Sequence, residues 1–170
     1  MALARVYNGA LMAPEWLSIN DISPKKLTPM LRQFIDAKAE SGGSILFFRM
    51  GDFYEMFFED AIEAAEILGL TLTSRDASEK EKRIPMAGVP HRAVDSYIAR
   101  LIKAGRTVTL CDQVQDPKEA KGIVKRAIIR TITPGTVSEP ELLEETTNNY
   151  LGAVLTENGR AGLAFLDVST

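Results

Sequence analysis

The sequence predicts an α/β fold of the α+β type, a mixed β-sheet flanked by about three helices. Three observations lead there. Three segments repeat apolar residues at helical spacing. Short runs rich in aromatic and β-branched residues lie between and after them. Glycine, proline or acidic stretches punctuate the junctions.

Thr28-Pro29 opens the first helix, a hydroxyl N-cap followed by proline at the first helical position. Leu31, Phe34, Ile35 and Ala39 follow at helical spacing, and Gly42-Gly43 ends it. Ser44 to Met50 is a short apolar run, read as a buried strand. Gly51-Asp52 interrupts it, and Phe53 to Phe57 resumes as an extended or turning segment. The second helix covers about Phe58 to Leu68, with Ala61, Ile62, Ala65 and Leu68 inward. Glu59, Asp60, Glu63 and Glu66 are expected mostly outward, and Gly69 suits the position after the helix end. Leu70 to Thr73 reads as a strand and Asp76 to Lys82 as a charged, solvated loop. Ile84 to Pro90, two prolines bracketing a glycine, is expected to be an irregular loop. Val94, Tyr97, Ile98, Leu101 and Ile102 form one face of the third helix, which Gly105 ends. Thr107 to Val114 and Ile123 to Thr133 read as strands.

Composition shifts after the Pro134-Gly135 turn. Ser138 to Glu145 is acidic and expected to be helical, and Thr146 to Asn149 is polar. Tyr150 to Leu155 and Ala161 to Val168 form a hairpin around Asn158-Gly159. Such a hairpin is marginal alone, so a truncated second domain is inferred. The expected organisation is a leader over 1–20, with disorder left open, a folded domain over 21–134, a linker over 135–149 and a partial second domain over 150–170.

At 170 residues, 45% apolar and 25% charged, the chain can bury an ordinary core without metals or disulfides. Cys111 has no second cysteine to pair with, which fits a reducing cytosol, and it is read as a small core residue. No apolar run reaches the ~20 residues of a membrane span. The net charge is −3, but residues 25–133 hold 18 basic and 15 acidic side chains, so the middle is mildly basic and the ends acidic. That balance neither identifies nor excludes a nucleic-acid partner. A phosphate-cradling Gly-x-x-x-x-Gly-Lys-Ser/Thr loop is absent. One histidine and one cysteine make a Cys/His zinc site implausible, and His91 reads as a polar residue at a helix start. Asp52, Glu55, Glu59 and Asp60 are either an acidic first turn complementing the helix dipole or, less simply, a magnesium site of a nuclease.

Gly51-Asp52-Phe53-Tyr54-Glu55 is the most informative stretch, and it resembles the Gly-Asp-Phe-Tyr-Glu motif of the MutS family of mismatch-repair proteins. Four more segments agree in order. Ile84 to Pro90 is similar to the family's Pro-Met-Ala-Gly loop, Cys111-Asp112-Gln113-Val114 to its Glu/Asp-Gln strand end, and Arg130 to Thr136 to its Thr-Pro-Gly-Thr junction. Ala164 to Thr170 resembles the first strands of the connector domain. The match runs from about Leu27 to the last residue.

The resemblance implies a fold like the MutS N-terminal domain, recognition of mispaired or looped duplex DNA over 21–134, and the start of the connector domain over 150–170. It implies that Phe53 wedges into the minor groove at the mispair and that Glu55 hydrogen-bonds the displaced base. A poorly stacked, easily kinked step makes that insertion cheaper than in matched duplex. In an extended segment Tyr54 points away and Glu55 returns to the side of Phe53. A carboxylate near phosphates is unwelcome everywhere, while its hydrogen bond forms only where a base is accessible, so matched DNA is penalised more. Met50, Thr73, Ser74, Arg75, Pro85 and Met86 occupy positions facing the duplex by the same resemblance. Arg75 is either a phosphate contact or a solvated loop arginine. Lys80, Lys82 and Arg83 are open to the same two readings. Taken alone, Phe53, Met56 and Phe57 read as core, and the companion motifs reverse that preference.

The family pattern further implies a DNA-binding module that is not an enzyme and has no cofactor of its own. ATP and Mg²⁺ are expected only for the full-length protein, as are a homodimer and a MutL-type partner. The expected location is cytoplasmic, bacterial and nucleoid-associated, with no membrane. A non-sensing structural domain of a larger MutS-like assembly, or a metal-dependent nuclease using Asp52, Glu55 and Glu59, are the rival readings.

Overall fold

The computed structural model describes residues 6–7, 10–11, 16–23, 27–74, 83–116, 120, 122–134, 148 and 150–167. Two short antiparallel strands, β1 (Val6–Tyr7) and β2 (Ala10–Leu11), come first. Helix α1 (Pro29–Glu40) starts as its cap predicts, with the Thr28 hydroxyl accepting from the Leu31 amide at 3.3 Å. Its buried stripe is Met30, Leu31, Phe34 and Ala37, while Ala39, expected inward, is exposed.

The chain then runs through β3 (Ile45–Met50), β4 (Phe53–Phe57), α2 (Phe58–Leu68), β5 (Thr73–Ser74), β6 (Pro85–Pro90), α3 (Val94–Lys103), β7 (Val108–Gln113) and β8 (Arg126–Ile132). The six strands form one sheet in the order β5-β6-β4-β3-β7-β8. Only β3 and β7 run parallel, so the sheet is mixed, as expected. Of the expected Leu70 to Thr73 strand only Thr73 is in one, the two-residue β5, while Leu70 and Leu72 pack against the core.

Two further expectations are corrected. The first concerns residues 84–90, which form a regular strand within the sheet rather than an irregular loop. Prolines are tolerated there because they stand at the first and last strand positions, leaving Met86 to Val89 with the amides the ladder needs. The second concerns Asp60, which is 6% exposed instead of outward. Its carboxylate accepts from Lys38 Nζ at 2.7 Å and from the Leu46 amide at 3.0 Å, joining α1, β3 and α2. Lys38 also donates to the Ser44 carbonyl at 2.6 Å.

The sheet is covered on both faces. Under α2 and α3 lie Ile45, Phe47, Tyr54, Met56, Ala87, Val89, Val108 and Leu110. Under α1 lie Leu46, Phe48, Phe57 and Cys111, joined by Leu17 and Ile84. Phe34 is the centre of this second cluster, edge-on to Phe48 and Phe57 at ring distances of 5.6 and 5.0 Å. Phe58 enters α2 at φ +55°, a left-handed conformation costing about 1–2 kcal/mol. That corner brings its ring to 6.0 Å from Phe34. Packing extends ahead of residue 21: Leu17 is buried and its amide donates to the Arg83 carbonyl at 2.8 Å.

Strands β9 (Tyr150–Glu157) and β10 (Arg160–Asp167) pair as an antiparallel hairpin. Asn158 and Gly159 turn it with positive φ at both positions, as their sequence predicts. The expected helix at 138–145 lies outside the described residues. Among the described residues, no helix is long and apolar enough to cross a membrane.

Candidate nucleic-acid interface

Gly51-Asp52 is a two-residue turn between β3 and β4, with Gly51 at φ +58° and Met50 paired with Phe53. Alternation along β4 then decides which face each side chain takes. Tyr54 and Met56 point under α2 and α3 and are buried, at 2% and 0% exposure. Phe53 and Glu55 point to the opposite face, beyond the part that α1 covers. Phe53 is 46% exposed and Glu55 is half-buried.

Cross-strand neighbours share a face, which identifies the surroundings of this pair. Met50 lies beside Phe53 on β3; Gly88 lies beside Glu55 on β6; Met86 pairs with Phe57 and, on its other side, with Thr73. Met50 and Met86 are half-buried, and the exposed Thr73 hydroxyl donates to the Met86 carbonyl at 3.1 Å. Five of the eight residues singled out from sequence therefore share one sheet face: Met50, Phe53, Glu55, Thr73 and Met86. Ser74 and Pro85 pair with each other, and strand alternation turns both to the opposite face, where Pro85 is buried. Arg75, Lys80 and Lys82 lie outside the described residues.

The strand carrying the exposed pair is fixed from behind. Tyr54 donates from its hydroxyl to Asp112 at 2.7 Å, its ring lies 5.6 Å from that of His91, and the Arg49 guanidinium sits 5.5 Å above it. Burial and then the Asp112 carboxylate push the Tyr54 pKa above its ordinary value, so the phenol stays a donor. The His91 amide donates to the Asp52 carbonyl at 2.8 Å, tying the start of α3 to the hairpin turn.

Arg126 is a part of the site that sequence reasoning missed. It pairs with Gln113 on β7 and reaches across the face that holds Phe48 and Met50. Its guanidinium stacks 4.9 Å over Phe48, donates to the Arg49 and Val124 carbonyls at 2.6 and 3.0 Å and to Gln33 at 3.2 Å, and meets the Met50 sulfur at 3.4 Å. Burial lowers its pKa, while nearby negative charge, including that of Glu55, opposes the shift. Its only sequence mark is a basic residue at an inward position of an alternating strand. Cys111, under the same face, is fully buried, and burial pushes its thiol up to about 11.

The acidic group read as an alternative metal site is divided. Asp60 is committed to Lys38, and Glu59 accepts from the Ile19 amide at 3.4 Å. Among the described residues, no group of three or more histidine, cysteine or acidic side chains is placed to hold a metal ion.

Comparison with known proteins gives the family. A family model described as MutS domain I matches residues 28–141, more than half of the chain. The chain is 56% identical to the DNA mismatch repair protein MutS of Desulfitobacterium hafniense over 90% of its own length, and 53% identical to that of Methanothrix thermoacetophila over 85%. It is 55% identical to the same protein of Desulforamulus reducens, again over 85%. In each case it spans 17% of the relative's length. A domain match of this extent, with Phe53 and Glu55 side by side on an open sheet face, places the chain in the MutS family, whose domain I it contains.

Proposed function

We propose that this domain recognises mispaired or looped duplex DNA in mismatch repair, with Phe53 as the wedge and Glu55 as the partner of the displaced base. One observation carries the reading. The other five phenylalanines of the sheet domain are at most 1% exposed, while Phe53 stands 46% exposed at the hairpin tip. Keeping a phenyl ring in water forfeits about 1 kcal/mol or more of burial energy, which contact with a base would recover.

A ring entering the minor groove exchanges lost base stacking for new ring contact and a bent duplex. The exchange favours mispaired steps because less stacking is lost there. Stacking on an aromatic is worth ~1–3 kcal/mol per base, enough to separate mispaired from matched sites. Glu55, two residues on and on the same face, would meet the base displaced by the ring. Met50, Thr73 and Met86 would line the contact, and Ser74 and Pro85 would support it from the other face. Arg75 remains a proposed phosphate contact.

The domain is proposed as a binding module with no catalytic residues and no cofactor of its own. ATP with Mg²⁺, self-association and a MutL-type partner would belong to the full-length protein, in a bacterial cytoplasm close to the nucleoid. The hairpin β9–β10 would begin the connector domain. So small a footprint neutralises few phosphates, so weak binding is expected of the chain alone.

Fluorescence anisotropy with matched duplex and duplex carrying an unpaired thymine, at low salt, tests the reading. Wild-type chain is expected to prefer the unpaired site, and Phe53→Ala to lose about 1–3 kcal/mol of binding there. A Phe53→Ala variant with unchanged preference would leave a structural role for the domain and remove the sensing one.

A further inference from the structure

Gly88 lies inside β6, directly opposite Glu55. Glycine in a strand is a local cost, since it packs nothing and loses more backbone freedom on folding than alanine does. Among the described residues, neither backbone conformation nor crowding requires a glycine there. Gly88 is not among the positive-φ residues of the chain. A Cβ built on it would meet the Tyr54 carbonyl oxygen at 3.5 Å, Glu55 Cγ at 3.6 Å and Phe53 Cδ1 at 3.8 Å, all ordinary van der Waals distances. An alanine would therefore fit the folded chain unstrained.

What the missing side chain leaves is a notch. Gly88 is exposed, its backbone is the floor, and Phe53 and Glu55 form one wall. Residues directly opposite in an antiparallel pair share a face, so any side chain at 88 would rise between solvent and that wall. Glycine inside a strand often marks a bulge, a tight bend or a place where a ligand or another backbone approaches closely, and β4 and β6 pair through Gly88 without a shift of register.

We propose that Gly88 is a specificity-determining residue for the mismatch-reading site: its bare backbone gives a displaced base room to touch Phe53 and Glu55 together. The inference rests on the proposed role of that pair and adds the shape of its pocket. A matched duplex, which displaces no base, does not use the notch. Filling it therefore weakens binding to mispaired duplex and spares binding to matched duplex.

The test compares Gly88→Ala, Gly88→Val and Phe53→Ala in the 170-residue chain by thermal unfolding and by anisotropy with the two duplexes at low salt. The alanine variant is expected to unfold at or above the wild-type temperature. Affinity for the unpaired-thymine duplex should fall by about threefold with alanine and about tenfold with valine, while matched affinity changes by less than about twofold. Wild-type mismatch affinity in a folded Gly88→Val overturns the proposal; if valine prevents folding, the same result in Gly88→Ala does so. Equal losses on both duplexes also overturn it, by making position 88 a general contact. If Phe53→Ala binds like wild type as well, the reading of Phe53 falls first and separately.

Discussion

Tyr54 reaches from β4 across β3 and donates a 2.7 Å hydrogen bond to Asp112 on β7. The residue between Phe53 and Glu55 is thereby fastened to the far side of its neighbouring strand. A slip of one residue in β4 would break this bond and invert every side chain, burying the exposed pair. Exposure of Phe53 and burial of Tyr54 are two consequences of one register.

Tyr54→Phe keeps the ring and removes the hydroxyl, leaving the Asp112 carboxylate short of a donor. Stability should fall by about 1–2 kcal/mol, read as a lower urea midpoint with an unchanged slope. An unaltered midpoint would mean that the bond does not hold the register.

Lys38→Met leaves Asp60 buried without its cation and should cost about 3 kcal/mol near neutral pH. The loss depends on pH. Burial raises the folded pKa of Asp60 against the opposing pull of Lys38 and the Leu46 amide. The folded state therefore holds that proton more tightly than the unfolded chain. The favourable contribution is complete below the unfolded value of about 3.9 and is lost as pH rises through the folded one. Without Lys38 the folded value rises further, so the gap between wild type and variant should be smaller at acid pH than at neutral pH. Urea midpoints across that range check the trend, and a gap independent of pH contradicts it.

Glu55→Gln removes a negative charge from the proposed interface while keeping a hydrogen-bonding group. Affinity for matched duplex should rise by about fivefold, the equivalent of about 1 kcal/mol of relieved repulsion. Affinity for the unpaired-thymine duplex should rise less, so the ratio narrows. Equal gains on both duplexes, seen by anisotropy, would deprive Glu55 of a discriminating role.

Local chemistry made much of the fold legible. Thr28-Pro29, the apolar face of α3 and Asn158-Gly159 are short-range devices, and each forms what its residues predict. Strand β6 was hidden because two prolines and a glycine are what a loop contains; only the pairing with β4 shows that the prolines lie at its ends. Asp60 looked solvated because charge at the start of a helix usually is, and its partner Lys38 is 22 residues away in sequence. Phe53 and Glu55 were found through resemblance, since composition alone would have placed the ring in the core. Gly88 and Arg126 join the site through sheet pairing, which the linear sequence does not display.

Contact between the Phe53 ring and a displaced base is most directly measured by intermolecular nuclear Overhauser effects in a complex of the chain with duplex carrying one unpaired thymine. Ring protons of Phe53 should show cross-peaks to minor-groove protons of the unpaired base or its neighbours, and none to matched duplex under the same conditions. A bound complex in which those ring protons touch no nucleotide would contradict the account.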